Sequence, residues 1–159
     1  MLKKKRVVKK KGPPKLTLDQ QVAVEILGWK WMRFYDLHYW DPDSSNHKIR
    51  RTICKPGTWL DFPDNSTPKY VECDLTNPEE LALEPFGPYC AFSSDMGEAA
   101  EVIEVMANRG YTLSLSLYEG EWLSVWEGRT GRMIGESASS LPMAICLSAL
   151  SMVRHHHAR

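Results

Sequence analysis

The segment from Leu141 to Val153 constrains the fold more than any other part of this chain. Its residues are apolar nearly all round the helix that the pattern predicts, and Pro142 lies in the first turn. Such a helix has no face suited to water, so other elements must cover it on several sides. The segment contains Ser148 and Ser151 and is shorter than the roughly 20 residues that a bilayer crossing needs. We therefore predict a deeply buried helix and no contact with a membrane.

The charges are divided between the start of the chain and its body. The sequence has 20 basic and 20 acidic residues. Eight of the basic residues lie within the first fifteen positions, namely Lys3, Lys4, Lys5, Arg6, Lys9, Lys10, Lys11 and Lys15. Removing those eight from the 20 leaves 12 basic against 20 acidic side chains, a formal charge of −8. Because like charges repel, residues 1–16 are predicted to form a flexible arm. One hypothesis is that its cations bind nucleic acid or another anionic partner. The alternatives are a solubilising tail and an arm that docks on the acidic body.

The helices of the body carry recognisable start and stop signals. Thr17 and Gln20 have the spacing of a capping box, and Gly28 is the expected end of that helix. A second helix is predicted between a cap at Ser93 or Ser94 and Gly110. Its predicted inward stripe consists of Met96, Ala99, Ala100, Ile103, Met106 and Ala107.

The region between these helices is predicted to contain short strands and an irregular insertion. Trp29–Trp40 is rich in aromatic residues, which is typical of one or two strands. Residues 41–88 hold seven of the ten prolines, with short strands expected at His47–Cys54 and Lys69–Cys73. Asn77-Pro78 indicates the start of a helix of one or two turns.

Residues 111–126 are predicted to form a hairpin with two different faces. A three-residue loop, Glu119–Glu121, would pair Leu117 with Leu123 and Leu115 with Val125, and would direct the leucines to the core. The opposite face would then offer hydroxyl groups and stacking planes to a small ligand. Its residues are Thr112, Ser114, Ser116, Tyr118, Trp122, Ser124 and Trp126. In the alternative interpretation, a helix covers this face and its aromatic side chains belong to the core.

Three segments resemble the small bacteriophage proteins of the phage ABA sandwich domain family. Leu18–Trp29 ends in Leu-Gly-Trp, Phe92–Tyr111 begins with Phe-Ser-Ser-Asp, and Leu141–Leu150 reads Leu-Pro-Met-Ala-Ile-Cys-Leu-Ser-Ala-Leu. The resemblance spans residues 17–153 in outline, with the 41–88 insertion and the basic arm as additions. It implies a layered α/β fold and a phage or prophage origin, and it implies no activity.

No metal, cofactor or catalytic motif stands out. The cysteines are scattered without a CxxC pair, so four reduced thiols are expected: Cys54, Cys73, Cys90 and Cys146. Asp41–Ser45 begins like a calcium loop but lacks the final Glu, and His47 with two cysteines fits no standard zinc spacing. His38 is interpreted as structural, and His155–His157 as a fraying tail or a tag remnant. No nucleophile elbow, P-loop or HExxH occurs, so we expect no enzyme, cofactor or metal.

Together these features predict one α/β (α+β) domain at residues 17–154, followed by a tail at 155–159. A mainly antiparallel sheet of about four or five strands would pack with three helices as a layered sandwich. The leading functional hypothesis is a phage accessory protein that binds a host protein or nucleoprotein in the host cytoplasm, for instance in counter-defence. The alternatives are a sponge for small nucleotides at the hairpin face and nucleic-acid binding through residues 3–15. The oligomeric state is left open.

Overall fold

The computed structural model describes residues 15–41, 46–56, 70–85 and 90–157. Its helices are α1 (Leu18–Gln21, continued by a π-helical turn, Val22–Ile26), α2 (Pro78–Leu81), α3 (Met96–Asn108) and α4 (Leu141–His157). Its strands are β1 (Lys30–Asp41), β2 (Asn46–Cys54), β3 (Tyr70–Glu72), β4 (Glu84–Pro85), β5 (Thr112–Tyr118), β6 (Glu121–Glu127) and β7 (Met133–Ala138). The α+β class is confirmed.

The described strands form two sheets where the sequence predicts one. The first sheet has the order β3-β1-β2-β4, antiparallel except for the short β2–β4 pair, and the second is the antiparallel sheet β5-β6-β7. Helices lie between them in the core. Trp31 and Ile53 of the first sheet share one buried cluster with Trp126 of the second and with residues of α3 and α4. Among the described residues, the strands of each sheet pair only within that sheet. The two sheets are joined by side chains that pack with the helices in the shared core.

Helix α4 is buried as its sequence predicts. It packs against β6 and β7 on one side and against α1, the π-helical turn and α3 on the other. Its buried residues include Ala144, Ile145, Cys146, Ser148, Ala149, Leu150, Met152 and Val153. The helix also continues through His157. The expected tail at 155–159 is therefore wrong at its start, because His155–His157 belong to the helix.

The first helix has the predicted capping box, whereas the cap of α3 differs. The Gln20 N–H donates to Thr17 Oγ1 at 3.2 Å, and the Thr17 N–H donates to Gln20 Oε1 at 3.0 Å. Helix α3 is capped by Asp95, whose carboxylate accepts from the Glu98 N–H at 3.0 Å. The buried residues of α3 are Ala99, Val102 and Met106, whereas Ala100 and Ala107 of the predicted stripe are exposed. Met96 is exposed, contrary to the prediction.

The register predicted for the β5–β6 hairpin is wrong. The loop has two residues, Glu119-Gly120, both with positive φ, so Tyr118 pairs with Glu121 and Leu115 pairs with Ser124. This primed turn matches the right-handed twist of the strands, and that match outweighs the pairing of apolar residues with one another. Leu117 pairs with Trp122 instead of Leu123.

The corrected register changes which leucines are buried. Leu113 packs against the core, but Leu115 and Leu117 are 43% and 58% exposed, because α4 covers β6 and β7 and leaves this part of β5 open. The prediction that all three face the core holds only for Leu113. In β6 the inward residues are Trp126 and Ser124, both fully buried.

Two buried serines tie the second sheet to α4. The hydroxyl groups of Ser124 and Ser148 lie 2.7 Å apart, and the Ser148 hydroxyl also lies 2.8 Å from the Ala144 carbonyl oxygen. With its proton donated to that carbonyl, Ser148 accepts from Ser124. The pair therefore satisfies polar groups where α4 crosses β6.

We expect Ser148→Ala to cost more stability than Ser124→Ala. Removing the Ser148 hydroxyl leaves the Ser124 hydroxyl buried without its partner, a cost of about 1–3 kcal/mol. Removing the Ser124 hydroxyl leaves Ser148 bonded to the Ala144 carbonyl, so the loss should be about 1 kcal/mol or less. Chemical denaturation of both variants measures the free energies of unfolding.

Ser114→Ala is the matched control, because Ser114 is an exposed serine on the neighbouring strand. It should change the free energy of unfolding by less than about 0.5 kcal/mol. The double variant should lose no more than Ser148→Ala alone, since neither hydroxyl is left unpaired. If the double variant loses as much free energy of unfolding as the two single variants together, the two serines are not coupled.

Candidate anion-binding site

An open cleft of about 640 Å³ lies where three connections of the fold meet. They are the end of α3, the turn between β6 and β7, and the last turns of α4. We call it the arginine cleft; its lining residues are Arg109, Gly110, Tyr111, Gly128, Arg129, Thr130, Gly131, Arg132, Met152, His155 and His156.

The end of α3 forms one wall of the arginine cleft. The Gly110 N–H donates to the Ala107 carbonyl at 2.8 Å and the Tyr111 N–H to the Met106 carbonyl at 3.2 Å, which is a Schellman ending. Gly110 has a φ of +86°, as this ending requires. The Arg129 guanidinium lies against the Gly110 backbone, in the space that a side chain at position 110 would fill.

The turn between β6 and β7 supplies two of the arginines. The Gly128 N–H donates to the Arg132 carbonyl at 2.8 Å, and the Gly131 N–H donates to the Gly128 carbonyl at 2.9 Å. Gly131 has a φ of +75°, so glycine suits this corner. The turn presents Arg129 and Arg132 to solvent.

Helix α4 forms the opposite wall with its last turns. Met152 is buried beneath the cleft, and His155 and His156 are exposed along it. Arg154, on the same turn, is bonded to Glu25 instead of lining the cleft. Its Nε donates to Glu25 Oε2 at 2.8 Å, and its Nη2 donates to Glu25 Oε1 at 2.7 Å. This contact fixes the end of α4 to the π-helical turn.

The charged side chains that line the arginine cleft are positive. Among the described residues, three arginines and no carboxylate line it. Arg109 donates from Nη2 to the Ile26 carbonyl at 2.5 Å, whereas Arg129 and Arg132 have no acidic partner among the described residues. Such uncompensated guanidinium groups attract anions, and their planar forks match phosphate or carboxylate oxygens.

The carboxylate of an adjoining cleft does not cancel this charge. Glu25 lines a smaller adjoining cleft of about 320 Å³ together with Arg109, Tyr111, Val153 and His156. The hydrogen bond from Arg154 holds the pKa of Glu25 below its usual value, so Glu25 is ionised and compensated by Arg154. The positive charge of the larger cleft is thus left for a ligand.

The structure does not bring the residues of the predicted ligand face together. Thr112, Ser114, Ser116 and Tyr118 lie on the exposed outer face of β5. Trp122, Ser124 and Trp126 lie on the opposite face of the sheet, where α4 covers Ser124 and Trp126. The shift of register by one residue separates the two sets, so they form no common surface.

The other predicted sites fall mostly outside the described residues. This holds for Lys3–Lys11 of the arm and for the side chains of His38 and His47. Lys15 is described and is exposed. Within the described part of the chain, no three His, Cys, Asp or Glu side chains gather as a metal site. None of the described helices has the length and apolar character for crossing a bilayer.

The cysteines are unsuited to act as nucleophiles. Burial raises the pKa of all four thiols, and raises that of Cys146 to about 12. A raised pKa disfavours the reactive thiolate. None of the four cysteines forms a disulfide bond, and none is among the described residues that line the arginine cleft.

A buried arginine in the first sheet is unrelated to the arginine cleft. Arg51 is 2% exposed, and its guanidinium carbon lies 4.8 Å from the centroid of the Trp31 ring. Burial lowers its pKa, and its Nε and Nη2 have no hydrogen-bond partner among the described residues. Closed off from solvent, Arg51 has a packing role against Trp31.

The sequence alone does not predict the arginine cleft. The signal that it offers is the segment Gly128-Arg129-Thr130-Gly131-Arg132, in which two arginines stand among turn-forming glycines and are therefore expected to be exposed. His155 and His156 were assigned to a tail. Arg109 carries no sequence signal, because its place in the cleft depends on the tertiary packing of α3 against the first helix.

Comparisons with family models, with curated proteins and with solved structures find no match for this chain. The resemblance to the phage ABA sandwich family therefore rests on the three quoted segments alone.

Gly110→Ala and Gly120→Ala form a matched pair that tests the contact with Arg129. Both glycines have a φ of +86°, so each variant should lose about 1–2 kcal/mol of stability. Only at Gly110 would the new methyl group meet Arg129, a flexible side chain that can move aside. Chemical denaturation and the NMR signal of the Arg129 Nε–H measure the two effects. An Arg129 signal equally unchanged in both variants would contradict the packing described.

Proposed function

We propose that this chain is a binding protein without catalytic activity, and that it holds a phosphate-bearing small molecule in the arginine cleft. Nucleotides are the ligand class that fits best. The observation that carries the proposal is the convergence of Arg109, Arg129 and Arg132 in a cleft whose lining contains no carboxylate.

The charge of the cleft supports a phosphate rather than a neutral ligand. Hydrogen bonds between guanidinium groups and phosphate are about twice as strong as neutral ones and are often bidentate. Arg129 and Arg132 extend from the same turn, and Thr130 between them adds a hydroxyl group. A diphosphate or triphosphate can engage more of these groups at once than a single carboxylate can.

The size and the aromatic wall support a nucleotide. A volume of about 640 Å³ lies within the usual range of roughly 300–1,000 Å³ for small-molecule sites. Tyr111 is partly buried and lies beside Gly128, so its ring forms a fixed surface at the edge of the cationic region. Such a ring can stack on a base while the arginines hold the phosphates.

Isothermal titration calorimetry with pyrophosphate, ADP and adenosine tests the proposal. Pyrophosphate and ADP should bind, and adenosine should bind at least about tenfold more weakly because it lacks phosphate. Arg129→Gln and Arg132→Gln should each weaken ADP binding by about tenfold or more, since each removes a charged hydrogen-bond donor worth about 1.5–3 kcal/mol.

Lys30→Gln is the control, because it removes one positive charge from the first sheet, where Lys30 forms an exposed ion pair with Glu72. Its affinity for ADP should equal that of the unchanged protein. Equal ADP affinity in all variants, or no binding of any phosphate compound, would overturn the proposal. A short oligonucleotide that binds more tightly than ADP, and loses affinity in the same variants, would identify nucleic-acid phosphate as the ligand.

A macromolecular partner is the second proposal. The family resemblance and the split charge support a phage accessory protein that binds a host protein or nucleoprotein in the host cytoplasm. The structure adds that Lys15 is exposed where the arm joins the domain. Cations there can contact the phosphates of a nucleic acid.

Full-length protein in which the seven cations of residues 3–11 are replaced by Gln tests the role of the arm. Replacing them should weaken binding to duplex DNA and reduce the dependence of affinity on salt, because fewer counterions are released. The variant keeps the length of the arm, so only charge is removed. Electrophoretic mobility shifts across a salt series measure both properties, and an unchanged affinity would exclude nucleic-acid binding through the arm.

A further inference from the structure

Strand β5 presents an edge that favours pairing with another strand. Its seven residues include no charged residue, glycine or proline, and no described strand pairs with its outer side. Long uncharged edges are templates for strand addition, which proteins usually prevent with charges, bulges or short strands. The opposite edge, β7, contains Glu136 and Gly135, which disfavour pairing.

The hairpin geometry defines which backbone groups of β5 are available. A two-residue turn closes on a hydrogen-bonded pair, here Tyr118 and Glu121, and such pairs alternate along the ladder. The backbone N–H and C=O groups of Leu113, Leu115 and Leu117 therefore point away from β6. They form a regular row along the open edge.

The side chains along this edge are apolar and exposed. Leu115 and Leu117 lie on one face of the strand and are 43% and 58% exposed, and Tyr118 on the opposite face is 73% exposed. Large apolar side chains that cluster at a surface mark an interaction site more often than scattered ones do.

We propose that the occupant of this edge is the β5 strand of a second copy of the chain, paired antiparallel about a two-fold axis at Leu115. The segment Leu113-Ser114-Leu115-Ser116-Leu117 reads the same in both directions. Antiparallel pairing about its centre sets Leu113 opposite Leu117 and Ser114 opposite Ser116. Every apolar residue meets an apolar residue, and the three-stranded sheets join as one sheet of six strands.

The area of the interface predicts a weak dimer. A fully buried aromatic side chain covers about 150–250 Å². The edge offers three partly exposed apolar side chains, Leu115, Leu117 and Tyr118, so each copy buries a few hundred Å² at most. This total is below the roughly 1,200 Å² of stable complexes. The dissociation constant should therefore lie in the micromolar range or above, and the dimer should depend on concentration.

Sedimentation velocity from about 5 μM to 1 mM tests the proposal. The unchanged protein should shift from the mass of one chain toward twice that mass. Two full-length double variants, one with Ser114→Lys and Ser116→Lys and one with Ser114→Asp and Ser116→Asp, should each dimerise at least about tenfold more weakly. In a homodimer of either variant, like charges at positions 114 and 116 lie opposite each other across the two-fold axis and repel. In an equimolar mixture of the two variants, lysine lies opposite aspartate, so the heterodimer should form.

Ser137→Lys on the exposed outer face of β7 is the control, and it should dimerise like the unchanged protein. Hydrogen exchange of the unchanged protein gives a measurement that needs no variant. The N–H groups of Leu113, Leu115 and Leu117 should exchange more slowly as concentration rises. A protein that stays monomeric throughout, or a dimer that the double variants do not weaken, would overturn the proposal.

Discussion

The rest of the structure depends on covering a helix that is apolar on nearly every side. Helix α4 lies against β6 and β7 on one side and against the first helix and α3 on the other, and the first sheet joins the same buried cluster through Trp31 and Ile53. Helix α4 buries one polar side chain against β6, that of Ser148. Its hydroxyl forms hydrogen bonds with the Ser124 hydroxyl and with the Ala144 carbonyl of the same helix. Hydrophobic burial therefore determines where the strands of the second sheet lie, and the Ser124–Ser148 pair satisfies the two hydroxyl groups that this packing buries.

The same helix determines where the arginine cleft lies. Beyond Val153 the residues of α4 become polar, and Arg154 fixes this end to Glu25. His155 and His156 then face the α3 ending and the β6–β7 turn. The body is anionic in total, yet this cleft is cationic, because its arginines are grouped and the carboxylate of the adjoining cleft is already paired with Arg154. Grouped charge of one sign raises the local concentration of an opposite ligand, even on a body of the other sign.

Local signals in the sequence predicted local structure well. The capping box at Thr17, the proline start of α2 at Pro78 and the burial of α4 are confirmed, because neighbouring residues determine each of them. The β5–β6 register was predicted wrongly, because Glu-Gly is a weak signal for a two-residue turn and the apolar pairing favoured a longer one. The cleft could not be predicted, since Arg109, Arg129 and His155 are far apart in sequence and meet only through tertiary packing.

An NMR titration of uniformly ¹⁵N-labelled full-length protein with pyrophosphate is the decisive measurement. If the grouped arginines form an anion site, the largest changes in amide chemical shift will occur at the end of α3, at residues 128–132 and in the last turn of α4. These changes will reach saturation at the same pyrophosphate concentration. Shifts that are absent there, or that are confined to the basic arm, would contradict the assignment of this cleft as the functional site.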